Sequence, residues 1–375
     1  MRATETQSGE EETALESTET LTPLNVAQLV NLLSRAYLAM VRSGTPFRKF
    51  PSVMLWGPPG VGKSQAVRQI AAALEQGTGR HVAVTDVRLL LFNPVDLRGI
   101  PAANADRTLA VWLKPKIFQM DESENVLNLL FLDEISAAPP SVQAAAYQIT
   151  LDRMVGEHRL PENCIVIAAG NRVTDKSVAY NMPKALANRL CHFEVAVDAA
   201  AWHRWALRAG VHPFVTGYLE YNPAALMRFD PSGTQLAFPT PRSWEMVSNL
   251  LNTISADVTA VYPLVAGCIG EETAYPFKTW CGLYEKIPDP VVIFAGEEAA
   301  VPKAPELRIA LRSALAAYAQ QHPEQTGLDH AIAYACRLPW EFRREFLRDC
   351  NQIPVLRPLL RQNEVFHTAL QKGLQ

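Results

Sequence analysis

The sequence predicts an α/β protein in which a parallel five-stranded sheet lies between helices and is followed by a helical C-terminal half. Two observations support this prediction. Between residues 53 and 195, short apolar runs alternate with segments of helical periodicity, which is the order that builds a parallel sheet. Beyond residue 198 the strand-like runs stop, and helical, aromatic-rich segments continue. The five predicted strands are residues 53–56, 81–87, 127–133, 164–169 and 191–195.

A glycine-rich loop joins the first of these strands to a helix. Residues 57–64 read GPPGVGKS and fit the phosphate-binding pattern G-x-x-x-x-G-K-[ST]. Glycines allow the backbone to approach a polyphosphate, and the N–H groups that open the helix carry partial positive charge. Lys63 would add a full charge at the β- and γ-phosphates. The predicted nucleotide-binding residues are Gly57, Pro58, Pro59, Gly60, Val61, Gly62, Lys63, Ser64 and Gln65.

Polar residues follow two further strands. The apolar run 127–133 has two apolar faces, as a central parallel strand should, and ends in Asp133 and Glu134. Ligands of open α/β sheets bind at this end of the strands. We expect Asp133 and Ser64 to hold Mg²⁺, and Glu134 to orient and deprotonate water. Asn171 follows the next strand, where its amide would reach the γ-phosphate or the attacking water, or would simply form a turn after Gly170.

Other segments are less specific. A helix over residues 24–41 leads directly into the first strand of the site, which makes it a candidate neighbour of the nucleotide base. The insertion 88–118, with a hairpin expected around Lys114, is either a contact for a partner or substrate or a packed lid. Arg242 lies in the first turn of a helix over residues 241–254, where a bound anion would offset its conflict with the helix dipole.

The order and spacing of these motifs resemble the AAA+ ATPases, and within them the MoxR-like branch. The resemblance extends over about residues 24–255, and it also includes Ala187-Asn188-Arg189 and Pro241-Arg242. It implies ATP and Mg²⁺ as cofactors, Asn171 as sensor 1 and Arg242 as the sensor 2 arginine of a helical lid. It also implies that Arg189 is an arginine finger reaching a neighbouring subunit, so that the protein is a homo-oligomer, commonly a hexameric ring. MoxR relatives commonly have Asp-Arg at this position, which leaves Arg172 and Arg153 as alternative fingers.

The resemblance divides the chain into four parts. We expect a disordered acidic tail over residues 1–21 and a nucleotide-binding αβα domain over 22–198. A helical lid domain over 199–300 and a C-terminal helical extension over 301–375 follow. The chain after about residue 256 does not match a short lid, and is therefore a candidate partner-binding region.

Composition narrows the range of possible functions. A net charge of -3 without basic runs makes a nucleic-acid partner the less favoured alternative, as a loader or restriction-type motor. We expect no membrane insertion, no signal peptide, and reduced cysteines in a cytoplasmic protein. A metabolite kinase is a third possibility. The favoured prediction is a ring-forming ATPase that remodels or activates a protein partner, with a von Willebrand factor A domain protein as the partner that the resemblance implies.

Overall fold

The structure of the chain is a computed structural model, and it describes residues 21–172, 175, 182–254 and 257–371. The acidic tail predicted to be disordered therefore lies outside the described residues, apart from its last residue. The final four residues of the predicted C-terminal extension also lie outside them.

A parallel sheet forms the centre of the N-terminal half. Its strands run in the order β1-β6-β2-β5-β4-β3, and each neighbouring pair is parallel. The predicted α/β class is confirmed, but the sheet has six strands rather than five. The strands are β1 (Pro23–Asn25), β2 (Val53–Trp56), β3 (His81–Arg88), β4 (Val126–Asp133), β5 (Cys164–Gly170) and β6 (Cys191–Ala196).

The additional strand is β1, at the edge of the sheet beside β6. Its three residues pair with Glu194 to Ala196. The sequence predicts that a helix begins within this strand, at residue 24. Three residues are too few to show the alternation by which strands are recognised. Asn25 ends the strand and caps the next helix, because its side chain accepts the N–H of Gln28 and the Gln28 side chain accepts the N–H of Asn25.

Helices cover both faces of the sheet, which explains why its central strands are apolar on both sides. On one face, α1 (Val26–Arg42) and α2 (Lys63–Thr78) pack over alternate residues of β2, β4 and β5. On the other face, α3 (Pro94–Arg98) and α4 (Pro140–Asp152) pack over the remaining residues of these strands. A parallel sheet needs both covers, since its backbone connections put helices on each side.

The insertion between β3 and β4 contains a short antiparallel hairpin. Its strands are Ile100–Ala103 and Ala110–Leu113, so the turn lies at residues 104–109 and not at Lys114 as predicted. The Asn104 side chain accepts the backbone N–H groups of Thr108 and Leu109 and thereby closes the turn. Asparagine commonly caps its own turn in this way.

Helices make up the C-terminal half, in two adjoining apolar cores. One core is built from α6 (Ala199–Ala209), α7 (Pro213–Tyr221), α8 (Pro241–Thr253), α9 (Tyr262–Ile269) and α10 (Glu271–Cys281). The other is built from α11 (Pro290–Phe294), α12 (Pro305–Gln321), α13 (Gln325–Ala335), α14 (Trp340–Gln352), α15 (Arg357–Arg361) and α16 (Glu364–Gln371). The helix α12 belongs to both, because Ala310 packs in the first core and Leu311 in the second. Within the described residues, no helix combines the length and apolarity needed to cross a bilayer. The short helix α5 (Lys184–Ala187) precedes β6 in the chain.

Candidate functional site

The predicted site residues meet at the carboxyl ends of three neighbouring strands. The glycine loop follows β2, Asn171 follows β5, and Asp133 ends β4. These strands are adjacent in the sheet, in the order β2-β5-β4. Residues separated by more than a hundred positions are thereby brought to one edge of the sheet, where α/β proteins bind their ligands.

The glycine loop has a backbone that side chains would disturb. Gly60 and Gly62 have φ angles of 78° and 108°, in the left-handed region that favours glycine. A Cβ atom at Gly60 would lie 2.8 Å from the Thr240 side chain, and one at Gly57 would lie 2.8 Å from the Val195 carbonyl oxygen. The loop is therefore held between β6 and the start of α8. It ends at Lys63, where α2 begins and directs its free N–H groups toward the loop.

Lys63 is buried and bonded to the loop that carries it. Its Nζ donates to the Gly57 carbonyl at 2.5 Å, to the Pro58 carbonyl at 3.1 Å and to Asn171 Oδ1 at 2.8 Å. Burial lowers the pKa of Lys63 to about 8, and the nearby Arg242 also lowers it, while Asp133, Asp175 and Glu134 act in the opposite direction. Because burial removes water from this ammonium group, a bound anion would stabilise its charged form.

Ser64 and Asp133 form a pair of oxygen ligands. The Ser64 hydroxyl donates to Asp133 Oδ2 at 3.1 Å. Oxygen ligands of this kind suit Mg²⁺, which usually takes one or two protein groups and completes its shell with phosphates and water. Among the described residues there is no cluster of three or more His, Cys, Asp or Glu that could hold a metal ion. The residues therefore fit a cation that is shared with a bound phosphate.

Glu134 has an unusual backbone conformation at the tip of β4. Its φ angle is 60°, which is uncommon and costly for a residue other than glycine and persists only where the surrounding structure holds it. Its N–H donates to Asp133 Oδ1 at 2.9 Å, and the next residue, Ile135, donates its N–H to the Ala169 carbonyl. The Glu134 side chain is exposed and lines the cavity described below.

Asn171 connects the tips of β5, β4 and β2. Its N–H donates to Ser136 Oγ at 2.9 Å, while its side-chain oxygen accepts from Lys63. A Cβ atom at the preceding residue, Gly170, would lie 2.7 Å from Ser136 Oγ. The amide is therefore held by close packing, and its side chain points to the lysine of the loop.

A cavity of about 440 Å³ lies beside these residues. Its walls are the glycine loop, the starts of α1 and α8, the ends of β3, β4 and β6, and one face of α6. Of the predicted residues, those that line it are Gly60, Val61, Gly62, Ser64, Gln65, Asp133, Glu134 and Arg242. The cavity is large enough for a small organic ligand.

One wall of the cavity was not foreseen. Trp202, Trp205 and Arg208 of α6 line it together with Asp198, beside Asn25 and Val26 of the segment that was expected near the nucleotide base. The three residues on α6 follow one another at intervals of three positions and share a face of the helix, but this spacing does not indicate which element that face meets. The Asn25 side chain donates to Asp198 Oδ2 at 2.9 Å and so joins the starts of α1 and α6.

Charged residues around the phosphate end were also missed. Arg68, Asp86 and Arg88 line the cavity beside Asp133. Arg88 is paired in register with Asp133 across β3 and β4, and Arg68 lies one helical turn after Ser64. Desolvation raises the pKa of Asp86, and the carboxylate of Asp133 raises it further.

The three candidate finger arginines have different surroundings. Arg153 is partly buried, and its guanidinium donates to the carbonyls of Cys164, Phe47 and Phe50. Arg172 pairs with Glu194 at 2.9 Å. Arg189 is exposed, does not line the cavity, and has no hydrogen bond or ion pair within the described residues. Arg189 is therefore the one of the three that is free to reach another molecule.

Comparisons with known proteins agree with this geometry. Residues 52–192 match the model of the ATPase family associated with various cellular activities (AAA). That segment contains all the predicted site residues except Arg242. A search of curated proteins gives no match.

Two of the solved structures that match most of the chain have low sequence identity to it. A RuvB mutant of Thermotoga maritima is 14% identical, with 94% of this chain and 92% of that chain covered and a TM-score of 0.35. NtrX of Brucella abortus in complex with ATP is 13% identical, with 91% and 69% covered and a TM-score of 0.32.

Proposed function

We propose that this protein is an ATPase that forms rings, binds ATP with Mg²⁺ in the cavity, and uses hydrolysis to remodel or activate a protein partner. The observation that supports the proposal most strongly is the meeting of Lys63, Ser64, Asp133, Glu134 and Asn171 at neighbouring strand ends. The AAA family match over the segment that contains them supports the same reading.

The proposed binding mode divides the cavity into two ends. The triphosphate would lie along the N-terminus of α2, with Lys63 at the β- and γ-phosphates and Arg242 at the terminal group. The base would lie between Val26 and the aromatic face formed by Trp202 and Trp205, where apolar surface is available. Mg²⁺ would be held by Ser64 and Asp133 and would neutralise charge on the phosphates.

The proposed chemistry is an attack of water on the γ-phosphate. Glu134 would take the proton of that water, since it is an exposed carboxylate at the edge of the cavity. The Asn171 side chain lies beside Lys63, where its amide NH2 would donate to the γ-phosphate or its oxygen would accept from the attacking water. Arg189 would act on the nucleotide of a neighbouring subunit, as its exposed position favours.

The finer assignments follow from the resemblance to MoxR-like proteins. They comprise a hexameric ring, a client that is remodelled, and a von Willebrand factor A domain partner. We also propose the division into a nucleotide-binding domain over residues 22–198, a lid over 199–300 and an extension over 301–375. The second helical core, around α12 and α14, is the part of the chain that we assign to partner binding.

The test is a trapped complex. Glu134→Gln keeps the size of the side chain but removes the base, so we expect ATP to bind while hydrolysis slows by at least about a hundredfold. A pull-down with this variant in ATP should then hold the client, and the same pull-down with Lys63→Met should not. Turnover at the wild-type rate would contradict the role of Glu134, and retention that is independent of ATP would contradict remodelling.

A further inference from the structure

We propose that His192 is a positioning residue that connects the glycine loop of one subunit to the arginine finger which the same subunit extends to its neighbour. This inference rests on the proposed role of Arg189. It goes beyond that role because it identifies how a finger on the outside of the subunit is joined to the subunit's own nucleotide site. The link consists of Trp56, His192 and Ala187.

The first contact of the link lies at the end of β2. Trp56 is the last residue before the glycine loop, and its Nε1 lies 2.9 Å from His192 Nδ1. The two rings are nearly parallel, with 15° between their planes and 6.1 Å between their centroids. They lie on the same face of the sheet, because His192 pairs in register with Met54, two residues before Trp56.

The second contact lies at the turn that carries Arg189. His192 Nε2 is 2.7 Å from the carbonyl oxygen of Ala187, the last residue of α5. The same carbonyl accepts the N–H of Leu190 at 3.1 Å, which closes a four-residue turn. Arg189 is the third residue of that turn, and the carbonyl that His192 contacts belongs to the first residue.

The tautomer of His192 follows from its two partners. The indole N–H of Trp56 can only donate, and therefore His192 Nδ1 must accept. The proton of the neutral ring is then on Nε2, which donates to the Ala187 carbonyl. His192 thus accepts a hydrogen bond from Trp56, before the loop, and donates one to Ala187, in the turn that carries Arg189. A residue that only filled space would not need both polar contacts.

The strand that carries His192 extends the link to the nucleotide cavity. β6 begins at Cys191, whose N–H donates to the Ser52 carbonyl, and its Val195 carbonyl lies against Gly57 of the loop. Its last residue, Ala196, lines the cavity together with Val197 and Asp198. A shift of the loop on nucleotide binding would therefore be passed along a rigid strand and through His192 to the turn of Arg189.

The experiment mixes two kinds of subunit, so that only one kind of interface is active. Subunits with Glu134→Gln supply Arg189 but cannot hydrolyse ATP, and subunits with Arg189→Ala supply a complete site without a finger. We expect the mixture to hydrolyse ATP when neither variant does so alone. If intact rings show no such activity, the trans role of Arg189 is wrong, and the inference on His192 is overturned with it.

A second substitution, placed first in one kind of subunit and then in the other, tests the role of His192. His192→Phe keeps a ring beside Trp56 and removes both hydrogen bonds. In the Glu134→Gln subunit, which donates the finger, it should lower the activity of the mixture about fivefold, as expected for the loss of one orienting hydrogen bond. In the Arg189→Ala subunit it should change activity less than about twofold. A purely structural role would lower activity in both arrangements, and an irrelevant contact would lower it in neither.

Three further variants control the experiment. His192→Gln retains an amide that can donate to Ala187, so we expect it to restore activity to within about twofold of the unmodified mixture. His81→Phe removes an exposed histidine at the opposite edge of the sheet and should have no effect. If His192→Phe fails to assemble, as seen by light scattering, Trp56→Phe takes its place, because it removes one hydrogen bond and keeps an aromatic ring. An equal loss in both arrangements with Trp56→Phe would overturn the proposal.

Discussion

The surroundings of Lys63 favour the binding of an anion. The chain buries its ammonium group and satisfies it with two carbonyls and the Asn171 amide, none of which carries a full charge. The desolvation of the charge is therefore only partly offset, and the pKa of the group falls to about 8. A triphosphate would supply the missing negative charge and would favour the protonated lysine.

This predicts that nucleotide affinity depends on pH. Below pH 8 Lys63 is already protonated, whereas at higher pH binding must take up a proton. We expect the affinity for ATP to fall as pH rises from 7 to 9, by up to about tenfold for each unit above the pKa of the free protein. Calorimetry in two buffers of different ionisation enthalpy should detect the proton uptake. Lys63→Met should bind weakly and without this dependence, and equal wild-type affinities at pH 7 and 9 would contradict the prediction.

The acidic and amide residues of the site were predictable because each follows a local pattern. Asp133, Glu134 and Asn171 stand directly after apolar strands, and strand ends are recognisable in the sequence. Trp205 and Arg208 were missed as parts of the site because nothing in α6 alone indicates that its face meets the loop. His192 was missed for the same reason, since its partners are 136 and five positions away.

At the scale of elements, the contact between the glycine loop and α8 joins the two halves of the chain. Thr240 caps α8, because its Oγ1 accepts the N–H of Ser243 at 3.0 Å, and its side chain lies against Gly60. Arg242 follows two residues later, in the first turn of the helix. The position of this arginine over the cavity therefore depends on how closely the loop and the cap approach each other.

We predict that Gly60→Ala lowers the free energy of unfolding, because it strains the glycine loop and disturbs its contact with Thr240. The left-handed φ angle of 78° should cost about 1 kcal/mol, and the clash with Thr240 should add to the loss of stability. Gly79→Ala is a matched control, since Gly79 has a φ angle of 71° but no atom within 4 Å of the added Cβ. Urea unfolding should show a larger loss for Gly60→Ala, and equal losses would mean that the contact with Thr240 is easily relieved.

At the scale of the whole molecule, buried charges join helices of the two C-terminal cores. Arg312 of α12 is only 4% exposed, and it pairs with Glu220 of α7 and, at 3.0 Å, with Asp349 of α14. Asp349 also lies 3.5 Å from His203, on the helix α6 that lines the cavity. The second core is therefore joined to the first by ion pairs, and it packs on α6, which lines the cavity, through Leu207.

We predict that Arg312→Met lowers the free energy of unfolding by about 3–5 kcal/mol, because it leaves the Asp349 carboxylate buried without its partner. Arg344→Met is the control, since Arg344 pairs with Glu345 at the surface at 3.1 Å and should cost less than about 1 kcal/mol. Chemical unfolding monitored by tryptophan fluorescence would measure both. A loss for Arg312→Met no larger than that of the control would show that the pair contributes little to the fold.

The sequence by itself determined the class of fold and the positions of the polar residues at the strand ends, because apolar runs and the glycine loop are local patterns with a direct physical meaning. Only the tertiary structure decided that β1 adds an edge to the sheet, that α6 forms a wall of the cavity, and that His192 joins Trp56 to the turn of Arg189. These features depend on contacts between distant parts of the chain. Such contacts leave no periodicity in the residues that make them, and only folding brings their partners together.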